Sequence, residues 1–179
     1  MAVTERHLTA EQFLQMPKDG HKYELVNGEA KEVPTGGLHG DIAIVIAVLL
    51  APTAWKYGRV FDSSTGFYMQ SGNIRCPDVS FMRRERLPDG VPPRGFIDGA
   101  PDLCVEIISP SEEALDSWAK IGEYFESGAS QIWHVFPEAR RVVVYKSLDD
   151  VHTYLADETV DGGELLPGVS FRVGEVLPA

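Results

Sequence analysis

The sequence predicts an α/β fold: a mixed central sheet with an N-terminal β-hairpin and a C-terminal β extension. Three observations carry this. An Asn-Gly pair at 27–28 joins two short strand-like runs, two helical segments bracket three further strand-like runs, and a series of short strands closes the chain. With 179 residues, 44% of them hydrophobic, the chain can bury one ordinary core, whereas two would leave each half short. Residues 1–179 are therefore read as a single domain.

Thr9-Ala10-Glu11-Gln12 has the form of a capping box and starts a short helix over 10–14. Residues 23–26 and 29–33 flank Asn27-Gly28, which supplies the positive φ values of a tight hairpin turn. Leu38 to Trp55, rich in Ala, Ile, Val and Leu, reads as a mostly buried helix ending near Tyr57, with Gly58 beyond it. Strands are expected over 59–70, 78–82 and 103–109, and the Pro- and Gly-rich stretch 84–99 is the loop between the last two. Ser111, followed by Glu112 and Glu113, opens a helix with an acidic first turn that reaches about Glu126 and stops at Gly128. Residues 131–136 and 141–146 form a hairpin turning at Pro137–Arg140, and 152–155 and 169–173 read as edge strands.

Composition narrows the function. The longest apolar run, Ile42 to Ala51, ends at Pro52 and is too short to span a bilayer, and the first residues lack the features of a secretory signal. Cys76 and Cys104 have neither metal-ligand spacing nor the density of a disulfide framework, so a reducing cytoplasm is expected. Sixteen basic residues against 27 acidic ones give a net charge of −11. A protein that grips nucleic acid through phosphates is usually basic on its binding face. A nucleic-acid partner would therefore require locally placed cations or a metal that meets the phosphate.

Two Pro-Asp pairs lead into strands: Pro77-Asp78 before 79–82 and Pro101-Asp102 before 103–108. Glu106 sits inside Val105-Glu106-Ile107-Ile108, a run that reads as a strand buried on both faces. A carboxylate there is costly unless it binds a metal or meets a cation. The next helix brings Lys120 among Trp118, Ala119 and Ile121. Two carboxylates on adjacent strands can hold Mg²⁺ through oxygen and leave positions for water and a phosphate. A nearby ammonium can orient the attacking water and stabilise the transition state of phosphodiester hydrolysis.

The αβββαβ order, with acids on its second and third strands, resembles the PD-(D/E)xK nuclease superfamily. More narrowly, the chain looks like the Uma-type family of restriction-endonuclease-like proteins. The matching stretches are Tyr23 to Glu29, Leu38-His39-Gly40, Thr65-Gly66-Phe67, Arg75 to Phe81, Pro101 to Ser111, Asp116 through Lys120, Tyr124, and Gly128 to Trp133. The resemblance implies a restriction-endonuclease-like fold and a Mg²⁺-dependent (Mn²⁺ also suitable) endonuclease acting on DNA. It makes Asp78 and Glu106 metal ligands, the backbone carbonyl of Ile107 a third, and Lys120 the catalytic, base-like lysine. The superfamily lysine normally lies two residues after the glutamate, where Ile108 stands here; Lys120 on the following helix takes its place. Analogy with related nucleases implies a homodimer. The rival functions are a non-catalytic binding module that keeps the fold, and a metal-dependent hydrolase of a smaller phosphoester.

The simpler readings stand beside these. Asp78 alone could cap a strand start, and Asp102, on the same strand face as Glu106, is the rival acid. Glu24 either projects from the hairpin toward the metal and acts through water, or is an exposed strand residue. His39 reads as a hydrogen-bonding residue at a helix start, and His7, His21, His134 and His152 have no metal spacing. Trp55, Trp118 and Trp133 read as core or interface. Arg83, Arg84, Arg86 and Arg94 could meet a phosphate backbone, although a solvated loop is the default.

Overall fold

Residues 7–17, 19–33, 36–109 and 114–177 are described by the computed structural model, 114–116 through their backbone only. Helix α1 (Ala10–Leu14) carries the expected capping box: the Thr9 hydroxyl accepts from Gln12 N–H, and the Gln12 side chain accepts from Thr9 N–H. Strands β1 (Tyr23–Val26) and β2 (Glu29–Glu32) form the hairpin, with Asn27 at φ 52° and Gly28 at φ 80°. Both values suit a two-residue turn that follows the twist of the strands.

The αβββαβ core is present in the expected order. Helix α2 (Gly37–Ala54) is followed by β3 (Gly58–Asp62), the two-residue strands β4 (Phe67–Tyr68) and β5 (Ile74–Arg75), and β6 (Val79–Arg83). Then come β7 (Ile97–Asp98), β8 (Leu103–Ile107), α3 (Ala114–Glu126), β9 (Gln131–Phe136), β10 (Arg141–Tyr145) and β11 (Val151–Leu155). The described residues close with β12 (Thr159–Asp161), β13 (Ser170–Arg172) and α4 (Val173–Val176). The main sheet has the order β11-β10-β9-β8-β6-β3, and among the described residues of that sheet only β8 and β9, the strands that α3 connects, run parallel. A second sheet, β2-β1-β5-β4-β7, lies against it and carries the hairpin.

Alternation along the strands gives the sheet two faces. Val79, Phe81, Leu103, Val105 and Ile107 pack with Ile42, Ile46 and Leu50 of α2, whereas Met82, Cys104 and Ile132 pack with Ile121 and Tyr124 of α3. Each fully buried aliphatic side chain of α2 contributes about 1.5–3 kcal/mol relative to an exposed one.

Several expectations need correction. The expected strand over 59–70 breaks after Asp62, whose side chain accepts from the Ser64 N–H and hydroxyl and turns the chain toward the second sheet. The expected loop 84–99 contains β7. Helix α2 is not mostly buried: Ile42, Ile46, Leu50 and Ala54 face the core, but Ile44 is 63% exposed and Val48 65%. It also runs through Pro52, and by length and composition alone it would suffice to cross a membrane. The tail is more than edge strands. β11 pairs with β10, but β12 and β13 pair with each other, and Val160, Phe171, Val173 and Val176 enter the α2-side core. The expected helix opening at Ser111, Glu112 and Glu113 lies outside the described residues.

Candidate active site

A cavity of about 360 Å³ opens where β6 begins and β8 ends, and Glu24, His39, Asp78, Glu106, Ile107 and Lys120 line it. β6 and β8 are antiparallel, with Val79 opposite Val105, so the residues flanking that pair, Asp78 and Glu106, are neighbours across the ladder. Asp78 is tied to β8 twice: its N–H donates to Val105 O at 3.0 Å, and its Oδ2 accepts from Ile107 N–H at 2.8 Å.

Glu106 faces α3. Its Oε1 lies 2.9 Å from Lys120 Nζ and accepts the Tyr124 hydroxyl at 2.5 Å. Lys120 and Tyr124 are one helical turn apart, so one face of α3 supplies both groups. The charges continue in alternation. Lys120 Nζ is 3.6 Å from Glu24 Oε1, Arg75 Nη1 is 3.1 Å from Glu24 Oε2, and Arg75 Nε is 2.6 Å from Glu123 Oε2. Glu24 also accepts from Cys76 N–H at 2.7 Å.

Burial and these partners set the proton affinities. Burial pushes the Glu106 carboxyl up to about 7, with the charges of Asp78 and Glu24 adding to the rise against the pull of Lys120. Burial also works against ionised Glu24, but Lys120, Arg75 and the Cys76 N–H outweigh it and hold Glu24 at about 2. Lys120 is raised despite its burial, because Glu106 and Glu24 flank it. Two carboxylates beside one ammonium thus differ in proton affinity, the pattern by which sites divide acid and base roles. His134 stands opposite Glu106 on β9, and burial lowers it to about 4, which keeps it neutral.

The expected site residues open into one cavity: Asp78, Glu106, Lys120, Glu24 and the Ile107 backbone. Glu24 is buried, at 5% exposure, rather than an exposed strand residue. Asp102 is not a rival. It is buried, and Arg83 donates to it through its backbone N–H and Nε, both at 2.8 Å, with Arg86 Nη1 at 3.2 Å. Arg83 and Arg86 therefore hold the β6–β8 end together. Trp133 is core, whereas Trp55 and Trp118 are exposed.

Residue-level reading missed four contributors. His39, on the first turn of α2, does bond at a helix start, but its acceptors are in the site: Nε2 is 3.1 Å from both Asp78 Oδ2 and Ile107 O. Both neighbours are acceptors, so Nε2 carries a proton, and the bond to Asp78 raises the imidazole. Lys22 Nζ donates to Cys76 O at 3.0 Å and lies 4.0 Å from Asp78 Oδ1. Arg75 and Tyr124 complete the set. Tyr124 could have been found from its spacing to Lys120; Arg75 lies on a two-residue strand with no periodicity to read.

Comparison with known proteins supplies the family. The Uma2 family, described as "Putative restriction endonuclease", matches residues 10–175. The chain belongs to the Uma2 family. No curated protein matches it. Among solved structures, one described as a "putative nuclease belonging to DUF820", from Anabaena variabilis ATCC 29413, superposes with a TM-score of 0.83. That match has 20% identity and covers 94% of this chain and 97% of the other. At that identity the likeness shows the fold, which is restriction-endonuclease-like.

The donors present in this Uma2 chain suit a hard divalent cation. Two carboxylates and a carbonyl offer oxygen, and Asp78 Oδ2 and Ile107 O already converge on the proton of His39 Nε2, marking a point where two oxygen acceptors meet. Among the described residues no three His, Cys, Asp or Glu side chains form a metal group by themselves. A cation would therefore draw on the Ile107 carbonyl and on water, as Mg²⁺ does.

Proposed function

We propose that this Uma2-family chain is a Mg²⁺- or Mn²⁺-dependent DNA endonuclease with Asp78, Glu106 and Ile107 O as the metal donors. The supporting observation is that Asp78, Glu106, the Ile107 backbone and Lys120 all line one cavity, with the ammonium 2.9 Å from the Glu106 carboxylate. The chemistry a bound cation supplies is neutralisation of charge at phosphorus and a water acid enough to attack near neutral pH. Lys120 orients that water and stabilises charge developing on the phosphoryl oxygens. Its raised proton affinity keeps it an ammonium, which fits those roles better than proton removal. Tyr124 and Glu24 fix Glu106 and Lys120 in place, and His39 must release Asp78 Oδ2 and Ile107 O for the cation to take them.

The smaller-phosphoester reading has its own support. The net charge is −11, and Arg75, Arg83, Arg86 and Lys120 are each paired with buried or half-buried acids. That leaves few cations for a phosphate backbone. Melting temperature with and without Mg²⁺ or Mn²⁺, followed by cleavage assays on supercoiled plasmid and on a small phosphodiester, separates the readings. Metal at a hundred times its Kd adds about 2.7 kcal/mol, roughly 5–10 °C for a chain of this size. Wild type should show this shift and nick plasmid, and Asp78→Asn should lose both. Metal binding with turnover of the small diester alone would replace DNA with a smaller substrate. Absence of any metal-dependent shift would leave a non-catalytic module.

A further inference from the structure

Helix α2 has two apolar faces, and the core uses one. The other carries Ile44 (63% exposed) and Val48 (65%) and continues into Trp55 (58%) at the C-cap, and Leu49 (37%) lies between this face and the core face. Asp41, Ile44, Val48, Ala51 and Trp55 follow one another at alternating steps of three and four residues. That is the spacing of a seam along which one helix packs lengthwise against another. Leaving such a stripe in water forgoes roughly 25 cal/mol per Å².

We propose that this face is the contact surface with a second copy of the chain, the two α2 helices lying antiparallel about a two-fold axis near Val48 and Leu49. Charge placement selects this occupant. Asp41 and Lys56 are exposed and make no ion pair with another described residue. They stand at equal distances on either side of the Val48–Leu49 midpoint, so a two-fold antiparallel pair sets Asp41 of each copy against Lys56 of the other. Symmetry supplies this complementarity twice, and the helix dipoles oppose favourably. Between Asp41 and Lys56 the helix carries no charged residue that would be trapped between the two copies.

The area agrees. Four large apolar side chains at these exposures leave on the order of 500 Å² to solvent, taking roughly 100–150 Å² each. A standard half-interface of about 800 Å², some 65% apolar at the core of a homodimer, requires about the same. A lipid surface fits less well, because a net charge of −11 is repelled by anionic headgroups. Pairing would also hold the first turn of α2, from which His39 reaches Asp78 and Ile107 O.

Sedimentation equilibrium of the full chain from 1 to 100 μM, at moderate salt, tests the proposal without reference to catalysis. Wild type should be a dimer. Val48→Glu, an exposed position, should keep the wild-type melting temperature as a monomer and weaken the dimer at least 100-fold. Asp41→Lys and Lys56→Asp should each weaken it about tenfold, and the two together should restore it. A monomeric wild type at 100 μM overturns the proposal, as does a dimer that Val48→Glu leaves intact. A double charge swap that fails to restore dimerisation overturns the antiparallel pairing. Co-sedimentation of a monomeric wild type with phosphatidylcholine vesicles, lost in Val48→Glu, would assign the face to lipid instead.

Discussion

At Glu106, burial and a neighbouring ammonium pull in opposite directions. Burial favours the neutral acid, Lys120 favours the carboxylate, and the balance leaves the group near neutrality, at about 7. Glu106→Gln replaces a half-ionised group with a neutral one of similar shape, and Lys120 keeps Glu24 at 3.6 Å. The apo protein should then keep about its stability at pH 5 and gain on the order of 3 kcal/mol at pH 8, where wild type carries the unfavourable carboxylate, while metal binding is lost at every pH. Lys120→Ala behaves differently. It leaves two carboxylates without their shared cation and costs about 3 kcal/mol. It also removes the main force holding Glu106 ionised, so Mg²⁺ affinity at pH 7 falls about tenfold for each unit that Glu106 rises, and recovers by pH 9. Isothermal titration with Mn²⁺ or Mg²⁺ at both pH values, with denaturant melts, reads each effect. If the two variants respond identically to pH, Lys120 does not govern the ionisation of Glu106.

Among the elements, the ends of β6 and β8 are joined by Asp102, and a prediction follows from that. Asp102→Asn keeps the size of the side chain but leaves the guanidinium groups of Arg83 and Arg86 facing a neutral amide at 2.8 and 3.2 Å. The guanidinium groups left behind are 42% and 29% exposed and can be solvated, so the cost is that of lost charge-assisted hydrogen bonds, roughly 1.5–3 kcal/mol, and urea unfolding should shift by that amount. Mg²⁺ should still raise the melting temperature of the variant, because Asp102 lies outside the cavity; a lost metal response would return it to the list of ligands. Asp102 also shows what sequence could and could not yield. Its place on the strand face of Glu106 was legible from period-two alternation, but its partners lie 19 and 16 positions upstream beyond a turn and a short helix, where no periodicity links them. Local chemistry carried the hairpin at Asn27-Gly28, the capping box at Thr9 and the helix–strand order. The same reading put Asp78, Glu106 and Lys120 together. It failed for the two-residue strands β4, β5 and β7, which hold their shape only through cross-strand pairing, and for α2, whose composition is apolar all round. Such a composition does not distinguish a helix buried by its own fold from one with a second face left outward.

For the molecule as a whole, the site and the surface charge point to the same pH. Glu106 is raised from an ordinary value of 4.5 to about 7, so its contribution to stability is fully present below 4.5 and is lost as pH rises toward 7. His39, also raised, adds a loss in the same direction as pH passes its folded value. Glu24 is lowered from 4.5 to about 2, so its contribution is present above 4.5 and disappears as pH falls toward 2. The chain as a whole is near neutrality at about pH 4.8, where self-repulsion is least. Apo protein in EDTA should therefore melt highest near pH 5. Between pH 5 and 8 it should lose on the order of 3 kcal/mol from Glu106, roughly 5–10 °C. Mg²⁺ should act in the opposite sense, raising the melting temperature at pH 8 and doing little at pH 5, where Glu106 and His39 hold protons in place of a cation. Thermal melts from pH 4 to 9, with EDTA and with Mg²⁺, would give two curves that diverge above pH 6. A melting temperature in EDTA that stays flat from pH 5 to 8 would mean that the cluster carries no unfavourable charge. Equal Mg²⁺ shifts at pH 5 and 8 would mean that the cation does not compete with these protons and binds elsewhere.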